Sequence, residues 1–167
     1  NADAFPNDAS ETMDSDGDNV GDNADAFPND PTETMDSDGD MVGDNADVFP
    51  NDATETSDAD GDMIGDNADT DDDNDGLLDT EEATIGTDPF DEDTDGDEVN
   101  DKDDALPLDA SETMDTDGDG TGDNADTDDD GDGLFDLDEL SKGTDRLDPD
   151  SDDDGVLDGA DVFPMDA

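Results

Sequence analysis

Hydrophobic residues are isolated along this chain and recur at two fixed positions in a strongly polar background. The first position is an aliphatic residue at the seventh place of seven of the eight aspartate-rich stretches of twelve residues, as Val20 lies within residues 14–25; Thr121 is the exception. The second lies two places after such a stretch and is usually phenylalanine followed by proline, as in Phe27-Pro28. Proline fixes φ and favours an extended or turn path. The pattern therefore predicts loops and extended linkers, with little regular secondary structure.

Two segments have a different pattern and predict short helical turns. Residues 79–86 and 136–143 each begin with an aspartate that can cap a helix N-terminus, and each stops at a glycine. The other aspartate-rich stretches are joined either by a proline-containing linker, of which residues 27–34 are an example, or by a single residue, Thr70 or Thr127. Related linkers begin at Phe5, Phe49 and Leu106.

The aspartate-rich stretches have the pattern of EF-type calcium loops. In residues 71–82, carboxylates stand at places 1, 3, 5, 9 and 12, with glycine at place 6 and leucine at place 7. Places 1, 3 and 5 of such a loop offer side-chain oxygens, place 7 a backbone carbonyl, place 9 a direct or water-mediated ligand and place 12 a closing carboxylate. Eight loops, numbered 1 to 8, begin at Asp14, Asp36, Asp58, Asp71, Asp93, Asp115, Asp128 and Asp150. Their spacings of 22, 22, 13, 22, 22, 13 and 22 residues form a register that a random acidic chain has no reason to keep.

The predicted calcium ligands are the residues at places 1, 3, 5, 7, 9 and 12 of every loop. In loops 1 to 4 they are Asp14, Asp16, Asp18, Val20, Asp22, Asp25; Asp36, Asp38, Asp40, Val42, Asp44, Asp47; Asp58, Asp60, Asp62, Ile64, Asp66, Asp69; and Asp71, Asp73, Asp75, Leu77, Asp79, Glu82. In loops 5 to 8 they are Asp93, Asp95, Asp97, Val99, Asp101, Asp104; Asp115, Asp117, Asp119, Thr121, Asp123, Asp126; Asp128, Asp130, Asp132, Leu134, Asp136, Glu139; and Asp150, Asp152, Asp154, Val156, Asp158, Asp161.

Two loop types alternate in this frame, and one departs from the EF pattern. Loops 4, 7 and 8 have glycine at place 6, whereas the other five have glycine at place 4 and usually at place 8. Four of those five hold another residue at place 6, namely Asn19, Met41, Met63 or Glu98. A positive φ there would cost about 1 kcal/mol or more. Either the turn is taken at the place-4 glycine, or these loops coordinate differently.

The charge balance makes folding dependent on cations. The chain has 62 acidic and 3 basic residues, a net charge of −59 and 26% hydrophobic residues. A chain of this composition repels itself and cannot build a packed core, so we expect it to be disordered until a cation neutralises it. Nucleic acid and anionic membranes are excluded as electrostatic partners because they need basic patches. No apolar run has the length of a transmembrane segment.

The absence of two residue types excludes further kinds of site and reaction. The chain has no cysteine and no histidine, which excludes disulfides, zinc sites and histidine-based catalysis. Oxygen ligands in this number select Ca²⁺ before Mg²⁺, and we expect at least one ion per loop. Each acid resembles its counterpart in the next repeat and nothing supplies a pocket, so we do not expect an enzyme.

With loop and linker in view, the chain resembles the thrombospondin type 3 repeat. The unit that carries the resemblance is Asp-Ser-Asp-Gly-Asp-Asn-Val-Gly-Asp-Asn-Ala-Asp-Ala-Phe-Pro-Asn-Asp-Pro at residues 14–31, and related units extend over essentially the whole chain. Animal members have paired cysteines after the loop, where Ala24 and Phe27 stand here, so this array is similar to the cysteine-free bacterial branch. Dockerin modules also use calcium loops about 22 residues apart, but as a duplicated pair with substantial helices.

The resemblance implies one continuous, elongated tandem-repeat array over residues 1–167, stapled by calcium and carrying EF-like DxDxDG loops and short helical turns. We expect an excerpt of a longer bacterial protein, because Asn1-Ala2-Asp3 matches places 10 to 12 of a loop. The implied function is a calcium-rigidified spacer or stalk in a secreted or cell-surface protein, with flanking domains of the same chain as its partners. The alternative is a subunit of a calcium-dependent extracellular filament or adhesive matrix, which self-associates through calcium. A calcium sensor would need an apolar groove that this composition does not supply.

Overall fold

The computed structural model describes residues 4–166 and contains two short helices in that range. Helix α1 spans Asp79–Ile85 and helix α2 spans Asp136–Lys142. No strand occurs in residues 4–166, which confirms the prediction of little regular secondary structure. Residues 1–3, whose sequence matches places 10 to 12 of a loop, lie outside the described range.

Both helices lie where helical turns were predicted, but their N-caps are not the predicted aspartates. The N-cap positions are Leu78 and Phe135, both in extended conformation, and the helices begin one residue later. Each helix ends at a glycine in the left-handed conformation, with φ of 98° at Gly86 and 90° at Gly143. Asp136 does not cap because its carboxylate accepts a hydrogen bond from the amide of Asp129, seven residues earlier, at 3.1 Å.

The chain divides into two compact units, Asn1–Asp73 and Asn74–Ala167. The first contains loops 1 to 3 and the second contains loops 5 to 8. The division falls inside loop 4, which places Asp71 and Asp73 in the first unit and Asp75 in the second.

Acidic side chains, rather than apolar ones, occupy the interior of the described chain. Leu134 is its one buried hydrophobic residue, at 8% exposure. The most completely buried side chains are Glu82 and Glu139, at 0%, and Asp129 and Asp158, at 1%. Hydrophobic burial is therefore a minor contribution to the stability of this fold.

The linkers are closed turns that return the chain to the start of the next loop. In the linker after loop 1, the amide of Asp30 donates to the Phe27 carbonyl at 2.9 Å, across a turn that contains Pro28. The amide of Ala26 donates to the Thr34 carbonyl at 3.2 Å, which joins the two ends of the linker. The same pair of bonds recurs in the linkers that begin at Phe5, Phe49 and Leu106.

Candidate metal sites

All eight loops follow the same backbone path through their first six places. Places 4 and 6 have positive φ in every loop, whether or not glycine stands there. At place 6, φ is 81° at Met41 and 78° at Met63, compared with 95° at Gly76. Of the two alternatives that the sequence left open, the turn at place 4 is present, and a different mode of coordination stays a prediction. The chain turns at the place-4 glycine and also adopts the unfavourable conformation at place 6.

Hydrogen bonds within each loop hold this path. In loop 2, the carboxylate of Asp36 accepts from the amide of Gly39 at 2.6 Å and from that of Met41 at 3.2 Å. The amide of Asp44, at place 9, donates to the carbonyl of Met35 at 3.0 Å, and loops 1, 3 and 5 to 8 make the same bond. The bond at place 9 joins the two ends of the loop, and the bonds at place 1 bend it inward.

The first three carboxylates of a loop meet at the distances that one calcium ion requires. In loops 1, 2, 3 and 5, oxygens from places 1, 3 and 5 all lie within 4.8 Å of one another. Calcium binds oxygen at about 2.3–2.6 Å, so ligands on opposite sides of one ion lie at most about 5 Å apart. Further acidic groups of this kind occur within residues 4–166. The predicted Asp-x-Asp-x-Asp grouping is therefore present in three dimensions.

The hydrogen bonding of these carboxylates leaves an oxygen for a cation. The Oδ1 atom of Asp38 accepts from the Asp40 amide at 3.3 Å, and Oδ1 of Asp40 accepts from the Val42 amide at 2.8 Å. The Oδ2 atom of each is buried and has no hydrogen-bond partner in the described chain. The same holds for Oδ2 of Asp16 and Asp18 in loop 1. Burying a charged oxygen without a partner is costly, so these atoms fit a site that a cation completes.

Burial and repulsion between carboxylates act together on the place-3 aspartates of loops 2 and 5. Burial raises the pKa of the Asp38 carboxyl above its ordinary value, and the carboxylates of Asp40, Asp47 and Asp36 raise it further. The pKa of Asp95 in loop 5 is raised by burial and by its own loop's places 5, 12 and 1. The closing residue at place 12 therefore lies near enough to place 3 to raise its pKa, and its role as a calcium ligand stays a prediction. A divalent cation would convert this repulsion into attraction.

Loop 7 shows the closing carboxylate most clearly. Glu139 is 0% exposed, and neither of its oxygens has a hydrogen-bond partner within the described residues. Burial raises the pKa of this carboxyl to about 7, with further contributions from the neighbouring Asp130, Asp132, Asp136 and Asp158. Two such oxygens suit the bidentate contact that the EF pattern assigns to place 12.

The place-9 aspartates brace the loop from within. Both oxygens of Asp44 accept hydrogen bonds from Ser37 at place 2, from its amide at 2.7 Å and from its hydroxyl at 2.6 Å. Loops 1, 5, 6 and 8 repeat the pair of bonds with Ser15, Thr94, Thr116 and Ser151. A ligand role for place 9, direct or through water, stays a prediction, as does that of the place-7 carbonyl.

Sequence reasoning missed a buried acid outside the loops. Glu11, Glu33, Glu55 and Glu112 each stand three residues before place 1 and are 5–7% exposed. Each accepts a hydrogen bond from the amide at place 10 of its loop, at 3.2, 3.1, 3.0 and 2.9 Å respectively. These linker glutamates therefore close the second half of loops 1, 2, 3 and 6.

The linker glutamates also explain why glycine recurs at place 8 of these loops. A Cβ atom added at Gly21, Gly43, Gly65 or Gly122, all at place 8, would lie 2.1–2.3 Å from Oε2 of the glutamate. An atom cannot fit at that distance, so glycine at place 8 makes room for the carboxylate. The sequence signal was the joint occurrence of glutamate before the loop, glycine at place 8 and asparagine at place 10.

Comparison with known proteins agrees with this geometry. The family model described as the bacterial TSP3 repeat matches residues 71–92 and 128–149. Each matched segment begins with a glycine-6 loop and continues through the helix that follows it. No curated protein matches the chain. Among the described residues, no helix combines the length and hydrophobicity that crossing a membrane requires.

Proposed function

The chain carries bacterial TSP3 repeats at residues 71–92 and 128–149, and from this we propose that it is a calcium-rigidified spacer in a bacterial extracellular or cell-surface protein. TSP3 repeats are structural calcium-binding repeats that occur in extracellular proteins, and they are not a catalytic family. The proposed role is mechanical and involves no catalysis. The array would hold flanking domains of the same chain at a fixed separation while calcium is bound.

The observation that carries the proposal is the burial of carboxylates in a chain with very few basic residues. Sixteen of the seventeen buried non-glycine residues of the described chain are polar or charged, and Leu134 is the exception. The three basic residues of the chain cannot neutralise 62 acids. Eight divalent ions, one per loop, would leave a net charge of −43 from the initial −59. The ions would therefore supply the interactions that a hydrophobic core supplies elsewhere, while the surface stays strongly acidic.

Uniformity favours a spacer over a binding module. The same turn, the same place-2 to place-9 brace and the same linker bonds recur from loop to loop. A recognition site needs a group of residues that differs from its surroundings. Millimolar external calcium would saturate loops with dissociation constants of about 10⁻⁴ to 10⁻³ M, the range of extracellular modules.

A second candidate is a subunit of a calcium-dependent filament or adhesive matrix. The observation that favours it is the exposure of apolar side chains at equivalent positions of successive loops. Met41 and Met63, both at place 6, are 84% and 85% exposed. Repeated apolar side chains on an acidic surface would allow chains to associate once calcium has neutralised part of the charge.

Small-angle scattering with light scattering separates these functions. The segment is measured at millimolar calcium and again in excess chelator, each at several protein concentrations. A compact globule of this length has a radius of gyration of about 15 Å and a neutral coil about 43 Å. A rod-like profile in calcium that becomes coil-like in chelator supports the spacer, and a mass that grows with concentration supports the filament. Coil-like profiles in both conditions would refute both.

A further inference from the structure

The amide at place 10 is held by a carboxylate in every loop that lacks a helix. In loops 1, 2, 3 and 6 the acceptor is the linker glutamate that precedes the same loop. The place-10 asparagine of each of these loops also donates from its side chain to the carbonyl of the residue before the glutamate, at 2.7–2.8 Å. Loop and acceptor are therefore contained in one continuous segment of chain.

Loops 5 and 8 have no linker glutamate, and the acceptor comes from an earlier loop. Phe90 and Leu147 stand where the glutamate would be. The amide of Lys102, at place 10 of loop 5, donates to Oδ2 of Asp75 at 2.9 Å, and that of Gly159, in loop 8, donates to Oδ2 of Asp132 at 2.6 Å. Each acceptor is the place-5 aspartate of the preceding loop and one of its predicted calcium ligands.

Each of these two pairs of loops makes a further contact, and both contacts lie within the second unit. Lys102 donates from its ammonium group to the carbonyl of Gly76, at place 6 of loop 4. A Cβ atom on Gly159 would lie 2.6 Å from the carbonyl oxygen of Asp132, so the backbone of loop 8 packs directly on that of loop 7. The contact between these loops therefore requires a defined position of the place-5 aspartate.

The held amide lies in the turn that carries the closing carboxylate. In loop 2, the amide of Asp47 at place 12 donates to the carbonyl of Gly43 at 2.9 Å, and in loop 8 Asp161 donates to Leu157 at 2.9 Å. Places 8 to 12 therefore form one turn, and a carboxylate bound to its middle amide fixes where place 12 points. Charge-assisted hydrogen bonds of this kind are among the stronger ones in proteins.

We propose that the acceptor of the place-10 amide is a positioning residue, and that its origin decides whether a loop closes alone or through its neighbour. Loops 1, 2, 3 and 6 close on their own linker glutamate. Loops 5 and 8 close on an aspartate that is itself a predicted ligand of loop 4 or loop 7, so calcium in that loop orders the acceptor further and loops 5 and 8 bind calcium as the dependent members of their pairs. The inference rests on calcium binding by the loops.

The test is a calcium titration of the whole chain followed by ¹⁵N NMR, which reports each loop through its own amides. Asp128→Ala removes the first ligand of loop 7 but leaves Asp132 in place. We expect the half-saturating calcium concentration of loop 8 to rise roughly tenfold, as the loss of an ordered charge-assisted hydrogen bond implies. The matched control is Asp36→Ala in loop 2, after which loop 3, closed by Glu55, keeps its wild-type midpoint.

A rescue variant separates positioning from a general loss of structure. Leu147→Glu with Leu157→Gly gives loop 8 the glutamate and the place-8 glycine of the self-closing loops. In the Asp128→Ala background this pair restores the loop 8 midpoint and moves the Gly159 amide resonance. In loop 2, Glu33→Ala raises the midpoint roughly tenfold and Glu33→Gln, which keeps an acceptor oxygen, by less.

The outcomes separate the inference from the proposed function. If the wild-type chain shows no calcium-dependent shift in any loop, calcium binding and the inference both fail. If the wild-type loops titrate but Asp128→Ala and Asp36→Ala affect the next loop equally, the inference alone is overturned. Failure of the rescue pair, with loop 8 still weakened, would likewise overturn the role assigned to the acceptor.

Discussion

Gly43→Ala tests whether the linker glutamate or the glycine itself sets the geometry of loop 2. The added Cβ would lie 2.1 Å from Oε2, 2.3 Å from Cδ and 2.5 Å from Cγ of Glu33. These atoms end a flexible side chain, so the glutamate moves away and its hydrogen bond to the Asn45 amide, 3.1 Å long, is lost. Losing a hydrogen bond to a charged group costs about 1.5–3 kcal/mol.

An opposing effect reduces this cost without cancelling it. Gly43 does not adopt a positive φ, so alanine fits its backbone conformation. The alanine variant has a less flexible unfolded chain, which stabilises the folded state by about 0.4–1 kcal/mol. The net loss is about 1–2 kcal/mol, which corresponds to a rise of about five- to thirtyfold in the half-saturating calcium concentration of loop 2.

The assay is the loop-resolved calcium titration, arranged as a double-mutant cycle. Because Gly43→Ala acts by displacing Glu33, the double variant with Glu33→Ala should be no weaker than Glu33→Ala alone. Asn100→Ala, at place 8 of loop 5, is the matched control, since no linker glutamate lies there and the midpoint should not change. Additive effects of the two substitutions in loop 2 would refute the reasoning.

Four further outcomes follow from the site. Met41→Gly relieves a positive φ of 81° and should raise the unfolding temperature of the calcium-loaded chain, by an effect of up to about 1 kcal/mol, whereas Val42→Gly should lower it. Ser37→Ala removes the hydroxyl hydrogen bond to Asp44 and should weaken calcium binding by loop 2 by about 1 kcal/mol in the same titration. Loop 2 would then keep only the amide hydrogen bond, as loop 3 does with Ala59 at place 2. An unchanged midpoint would show that the amide bond suffices. The pKa of Glu139 is raised to about 7 and that of Asp130 in the same loop to about 6, so protons compete with calcium. In a pH-stat, calcium binding should release protons at pH near 6 and far fewer near pH 8, and Glu139→Gln should reduce the release at pH 6 without abolishing it. The same shift makes the ion-free fold less stable as pH rises from the ordinary value of 4.5 towards 7, because the folded state holds this proton more tightly.

Regular spacing made the loops predictable, because each ligand place is a fixed offset from the first aspartate. The grouping of places 1, 3 and 5 and the two short helices were confirmed for this reason. The predicted N-cap of helix α2 was wrong because the carboxylate of Asp136 could either cap the helix or accept a hydrogen bond within loop 7. It accepts from the amide of Asp129 and is therefore not at the helix end. Local sequence rules cannot decide between a cap and a brace seven residues away.

The linker glutamates were missed for a different reason. Glu33 is one acid among 62, so neither its charge nor its polarity distinguishes it from its surroundings. Its role depends on a contact with Asn45, twelve residues later, and on space left by Gly43. Only the covariation of these three positions between repeats carries that information. Positive φ at Met41 was equally hidden, because the loop imposes a conformation that the residue itself disfavours.

The origin of the place-10 acceptor also bears on how such an array can change its length. Residues 33–47 contain a loop together with the glutamate that closes it, and they fit within one 22-residue period. A duplication or deletion of one such period therefore leaves every remaining loop with its own acceptor. A recombination point between loops 7 and 8 would instead separate Gly159 from Asp132. Self-closing repeats are therefore free to vary in number, whereas loops 4 and 5, and loops 7 and 8, have to be inherited together.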